Sequence, residues 1–293
     1  MTVAVTNHIN RRAFLAACCC VTCQVTVGNA CGRCEAAHLQ NVRIHRVGEN
    51  VHVHSSNRAG FYVNSYLIYG ESTATLIDAQ LTELEAKKVI RKIKTDGKTL
   101  NNIVITHSHP DHYEGLQWIG RAFPKATIHS AAKSIEVISN TTRYWNGFEN
   151  KLEPISSGKH IFSGTQTEIL NMPDAESIAP LVLYLPQDRT LVTGDHVLAD
   201  QHLWLAEQRD QQWLDNLDTL EKRWPIEMIL PGHGNPGSLE LFTHTRNYIR
   251  DFQNTVRTET NKAKAIERMR EFYPQHRFPL ALETSMVAYL GSG

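Results

Sequence analysis

The chain has 293 residues, 41% hydrophobic and 20% charged, which supplies a sizeable apolar core and excludes wholesale disorder. Thirty basic residues balance thirty acidic ones, so no global field recruits nucleic acid or an anionic membrane. A small-molecule substrate is the partner to expect, and fifteen histidines point towards a metal site.

All six cysteines (Cys18, Cys19, Cys20, Cys23, Cys31 and Cys34) lie near the N-terminus, so the catalytic body must work without thiols. There, paired Arg11 and Arg12 precede Phe14, Leu15 and a diluted apolar run, with small residues near Ala30. The segment resembles a twin-arginine export signal cleaved after Ala30, which implies a periplasmic or exported protein. "LAAC", ending at Cys18, also imitates a lipoprotein box, but it stands too close to Arg12 for a lipid anchor to be the first choice. The apolar run is too short and too polar for a stable membrane span. The cysteines are read as small hydrophobes in a discarded segment, ahead of a metal cluster or a Cys31–Cys34 redox pair.

From about residue 41, "NVRIHRV", "VHVHSS", "FYVNSYLIYG" and "TATLIDA" predict short strands of a meander. "LTELEAKKVIRKIKT" (81–95) has apolar residues at helical spacing and stops before Gly97. "NNIVITHSHP" predicts a buried strand, "YEGLQWIGRAF" a helix and "ATIHS" a strand, and 140–158 reads as a loop or short helix. "KHIFSG", "TEILNM", "LVLYLP" and "RTLVTGD" return to strands; "QQWLDNLDTLEKRW" is helical and "EMILPGHG" a last strand. Residues 238–290 read as mostly helical, and no repeat or linker breaks 31–293, which is taken as one domain.

Three of these strands end in residues that carry chemistry. "THSHPDH" places His107, His109, Asp111 and His112 at the carboxyl end of "IVI", where α/β folds put their sites. Imidazoles and a carboxylate together suit zinc, iron or manganese better than calcium or magnesium. "TGDH" brings Asp195 and His196 to a strand end after Gly194, and "PGHG" does the same for His233. Each of the last two is weak alone; in this order, each after a β-run, the three reinforce one another.

"THSHPDH", "TGDHV" and "PGHG", with "NSYLI" and "TLIDA" before them, resemble the ligand motifs and early strands of the metallo-β-lactamase-fold superfamily, over roughly 41–250. The resemblance implies an α/β fold of the αβ/βα four-layer sandwich type, with metals at one edge between two sheets. It implies that His107 and His109 belong to a first metal, that Asp111, His112 and His233 belong to a second, and that Asp195 bridges them. One or two zinc ions are expected, with iron or manganese as alternatives. Asp111 is the candidate catalytic residue, beside the water that the metals acidify. Asp78 is expected to hold the far nitrogen of a ligand histidine. His196, His202 and Trp204 are candidates to support the ligands or line the pocket.

One departure stands out. Where the family has a "PGH" histidine before the "LVLYLP"-like strand, this chain reads "NMPDAES". Glu176 takes the histidine's place, with Asp174 two residues earlier. Either carboxylate replaces the ligand, or the first site is weak and the enzyme mononuclear, or catalysis is lost. The leading expectation is a metal-dependent hydrolase of an ester, lactone, thioester or amide carbonyl, β-lactams included. Its rivals are a mononuclear iron oxidoreductase of the sulfur-dioxygenase kind and a non-catalytic binding protein.

Overall fold

The computed structural model describes residues 45–46 and 50–291, and the expected export signal, Cys18 and the other cysteines lie outside the described residues. Seven strands form a first sheet in chain order: β1 (His45–Arg46), β2 (Val51–Ser55), β3 (Asn64–Tyr69), β4 (Thr73–Ile77), β5 (Thr99–Val104), β6 (Thr127–Ser130) and β7 (Leu152–Pro154). The first pairings, up to β3 with β4, are antiparallel, and those from β4 to β7 are parallel. Parallel neighbours need crossovers. Helices α1 (Glu83–Thr95), α2 (Pro110–Tyr113), α3 (Leu116–Ala122) and α4 (Ala132–Thr142) lie in these connections.

The second sheet has the order β12-β11-β10-β9-β8, from β8 (Gly158–Phe162), β9 (Thr165–Asn171), β10 (Leu181–Leu185), β11 (Thr190–Leu198) and β12 (Met228–His233). Helix α5 (Asp210–Arg223) makes the crossover between its parallel pair β11 and β12. The chain then ends in α6 (Glu240–Thr258), α7 (Lys262–Phe272) and α8 (Pro279–Leu290).

Three apolar clusters mark the interfaces of four layers. Leu67, Leu76, Ile103 and Ile105 meet Val89, Ile93, Leu116 and Ile119 between the first sheet and its helices. Tyr66, Ile68, Ile77 and Val104 meet Leu181, Leu183, Leu185, Val192 and Leu230 between the sheets. Val182, Tyr184 and Ile229 meet Trp213, Leu217, Phe242, Ile249 and Met286 between the second sheet and its helices. Strand alternation does the sorting: in β10, odd positions face the other sheet and even ones face the helices. With both faces covered, β10 reads as a continuous apolar run. The architecture is the αβ/βα sandwich.

The helix expected over "YEGLQWIGRAF" is instead two, α2 and α3, separated at Gly115. Gly115 donates its N–H to the Gln80 carbonyl, and a Cβ there would stand 1.8 Å from the Ala79 carbonyl oxygen. That close approach pins the junction between α2, which carries Asp111 and His112, and α3 against the turn after β4.

Candidate metal centre

Seven side chains from both halves converge at one edge of the sandwich. His107 and His109 come from the loop after β5, and Asp111 and His112 from α2. Glu176 comes from the loop between β9 and β10, Asp195 from β11 and His233 from the end of β12. Their donor atoms form two groups, each with members within 4.8 Å of one another: His107, His109, Glu176 and Asp195; and Asp111, His112 and His233.

Asp195 touches both groups. Its Oδ2 lies 3.8 Å from His107 Nε2 and 3.4 Å from His233 Nε2, and its Oδ1 lies 3.2 Å from His112 Nε2. Glu176 Oε2 stands 3.4 Å from His109 Nδ1 and 3.8 Å from His107 Nε2. Asp111 Oδ2 is 3.2 Å from His233 Nε2 and 3.7 Å from His112 Nε2.

Bonds on the far side of the rings set which nitrogen points inward. His112 Nδ1 lies 2.8 Å from Asp78 Oδ2, and His233 Nδ1 lies 2.7 Å from the Phe61 carbonyl; each ring donates there and turns Nε2 inward. His107 Nδ1 meets Thr106 Oγ1 at 3.0 Å, and that hydroxyl donates to Asp78 Oδ2 at 2.9 Å. Asp78 also accepts the Thr106 N–H at 2.8 Å, so this one buried carboxylate orients two histidines. Asp78 and Gln80 both have positive φ, a conformation that L-residues adopt rarely. The Gln80 amide, donating to Ser65 Oγ at 2.8 Å and to the Val63 carbonyl at 3.2 Å, holds the turn in place.

Glycines make the close approach of the strands possible. Gly194 has φ +50°, and a Cβ there would meet the Thr106 side chain at 2.8 Å. A Cβ on Gly232 would stand 1.9 Å from Asp195 Oδ1, so the shared carboxylate occupies the space of the missing side chain.

The electrostatics are those of a site built for cations. Burial and the neighbouring His112 hold His107 neutral, far below its ordinary pKa. Burial opposes charge on His112 as well, but Asp195, Asp78 and Asp111 outweigh it and raise that ring's pKa. His233 is pushed up to about 10, because Asp195 and Asp111 overcome its burial. Burial and the nearby Asp195 push the Glu176 carboxyl up.

The donor set fits a transition-metal cation. His107 Nε2 and Glu176 Oε2 are buried without a hydrogen-bond partner although they stand 3.8 Å apart, and Asp195 Oδ2 lies 3.8 Å from the same His107 nitrogen. Unpaired buried polar atoms are costly, and a shared cation satisfies both together.

The structure separates the sequence candidates. Asp174 lies outside the centre: its Oδ1 accepts the Ala179 N–H at 2.9 Å and its Oδ2 faces Lys133. His196 follows Asp195 in a strand, so its ring turns the other way, bonding the Thr193 carbonyl and the Asn216 amide near α5. His202 also points away from the centre, with Nδ1 2.9 Å from the Tyr248 hydroxyl. Trp204 does reach the centre, edge-on to His109 with ring centroids 6.0 Å apart.

Other contributors escape sequence reading. Phe278, ahead of α8, lies parallel to the His233 ring at 6.3 Å and packs on Phe61 at 4.7 Å. Phe61, Tyr62 and Phe278 all have positive φ. Asn64 donates to the Pro231 and Gly234 carbonyls, and Tyr66 to Pro231, tying β3 to the His233 turn. A main-chain acceptor such as Phe61 leaves no residue-type signal.

Residues 58–233 match the family model described as the metallo-beta-lactamase superfamily. The chain is 24% identical over 221 residues to the metallo-beta-lactamase type 2 of Bacillus cereus, covering 71% of this chain and 83% of that relative. It is 22% identical over 221 residues to the enzyme of the same name from Elizabethkingia meningoseptica, covering 72% and 86%. Among solved structures, it resembles a metallo-beta-lactamase from Pontibacter korlensis with a TM-score of 0.62 at 19% identity, over 71% of this chain and 98% of that one. The DIM-1 metallo-beta-lactamase gives 0.59 at 20% identity, over 71% and 96%.

Proposed function

Since the chain belongs to the metallo-beta-lactamase superfamily, usually metal-dependent hydrolases, we propose that it hydrolyses a small carbonyl substrate at the centre described above. The substrate classes are esters, lactones, thioesters and amides, β-lactams among them. The observation that carries this reading is the convergence of His107 Nε2 and Glu176 Oε2, buried and unpaired, with Asp195 beside them and beside the group of Asp111, His112 and His233.

In this reading His107, His109 and Glu176 hold one cation, Asp111, His112 and His233 hold another, and Asp195 is shared. Zinc, iron and manganese all suit these donors; when bound, such ions supply Lewis acidity, acidifying water and polarising a carbonyl oxygen. The protein's own part is orientation and proton handling. Asp78 and the Phe61 carbonyl fix His112 and His233. Asp111, on α2 among these histidines, is the carboxylate that accepts the proton of the attacking water.

The test is hydrolysis of a panel of aryl esters, lactones, thioesters and a β-lactam by the wild type and by His233→Ala. A turnover that His233→Ala reduces at least about a hundredfold supports the proposal. Equal rates in the two proteins, or no hydrolysis of any panel member, would sink it. A second reading, an iron-dependent oxidoreductase, draws on one observation: the first group joins two histidines to carboxylates, the donor types of non-haem iron sites. Oxygen uptake with a persulfide would select it.

A further inference from the structure

Replacing an imidazole by Glu176 changes more than one ligand. His107 and His109 stand with one private carboxylate, Glu176; His112 and His233 stand with another, Asp111; and Asp195 reaches both pairs. Both halves therefore offer the same donors: two imidazoles, one private carboxylate and a share of a third. With histidine at 176, the first half would be nitrogen-rich and the second oxygen-rich.

Glu176 is built for this place. Its Oε1 accepts the Ser177 hydroxyl at 2.5 Å, which leaves Oε2 as the atom facing His107 and His109. The loop that carries it is closed at its base by the Met172 N–H on the Pro180 carbonyl, and internally by Asp174 on Ala179. Asn216 of α5 ties it from outside through the Pro173 carbonyl. The carboxylate is fully buried, and among the described residues no Lys or Arg pairs with it.

We propose that Glu176 makes the two halves equivalent, so that the centre accepts a like pair of manganese(II) or iron(II) ions and its preference for zinc is narrowed. The inference rests on the two-cation reading above. Oxygen donors suit manganese and iron, whereas an all-imidazole pocket favours zinc, which also stands higher in the general affinity order. Charge bears on filling both halves, whichever dication is bound. Three carboxylates (Glu176, Asp111 and Asp195) against two dications leave one net positive charge, where a neutral imidazole at 176 would leave two.

The test uses the full chain, stripped with a chelator and loaded without oxygen, and reads bound metal rather than turnover. Loaded with manganese alone, the wild type is expected to retain two ions per chain after gel filtration, with the paramagnetic resonance of a spin-coupled pair. Loaded from an equimolar mixture, it should show a manganese-to-zinc ratio at least about tenfold above that of Glu176→His. Glu176→Gln should keep one manganese and lose the coupled signal. Iron(II) in place of manganese should repeat the pattern. One manganese or none in the wild type would overturn the proposal, whether or not the variants fold. So would equal metal ratios in the wild type and Glu176→His, or two coupled ions in Glu176→Gln. Because no arm depends on hydrolysis, a protein that holds two ions yet turns over no ester refutes the hydrolase reading alone.

Discussion

Asp78 Oδ2 and His112 Nδ1 lie 2.8 Å apart, both buried, and the same carboxylate steadies His107 through Thr106. The contact fixes which His112 nitrogen faces Asp195. Substituting Asp78→Asn keeps the shape but offers His112 an amide in place of a carboxylate. Metal affinity should fall about 10–100-fold. Competition against a chromophoric chelator measures it, and an unchanged affinity would show that Asp78 only caps its turn.

Gly232 is tightly constrained by the centre itself. Its Cβ would overlap the shared carboxylate at 1.9 Å and the Gly194 carbonyl carbon at 2.8 Å. Gly232→Ala must displace Asp195 or part β11 from β12, at a cost of about 1–3 kcal/mol. Denaturant melts and metal analysis should show both a less stable fold and a loss of bound ions. Retention of two ions at full stability would contradict the geometry.

Cations should also stabilise the fold, because they join donors from the two sheets. At free metal about a thousandfold above the dissociation constant, the expected gain is about 4 kcal/mol. Thermal melts with and without chelator should differ accordingly, and the midpoint should rise with metal concentration. Identical midpoints would mean that the apoprotein and the loaded protein are held together equally well.

Acid stability should be governed in part by His202, whose ring bonds Tyr248 rather than any residue of the centre. Burial, with His276 and Arg270 nearby, lowers its pKa to about 4, and it shares a hydrogen bond with the Tyr248 hydroxyl. Its ring is neutral in the folded state down to that pH, whereas in the unfolded chain it takes a proton near its ordinary value, about 6.5. The contribution is therefore intact above pH 6.5 and declines as pH falls towards about 4. His202→Gln should flatten that slope of stability against pH, as followed by urea melts. An unaltered slope would move the effect to other groups.

The sequence carried the strand-end motifs, because an apolar run followed by His107, His109, Asp111 and His112 has few other uses. It also pointed to Glu176, by counting back from Leu181. It did not separate Glu176 from Asp174, which are two residues apart in an irregular loop where no periodicity says which side chain turns inward. The hydrogen bond from Ala179 to Asp174 decides that, and it depends on the folded loop. His196 was readable: in a strand the neighbour of an inward Asp195 faces the other way. The single helix expected through Gly115 failed for a tertiary reason, the contact with the turn after β4.

The aromatic backing of His233 bears on when this pocket can exist at all. His233 leans on the Phe61 carbonyl, 172 residues earlier in the chain, and on the ring of Phe278, which lies beyond α6 and α7. The Arg277 main chain meanwhile bonds Asp200 and His202 in the segment after β11. Contacts this distant in sequence close late and fold slowly. A nascent chain can complete the meander and even display its "HSHPDH" loop, yet it has no finished pocket until the segment carrying Arg277 and Phe278 has arrived.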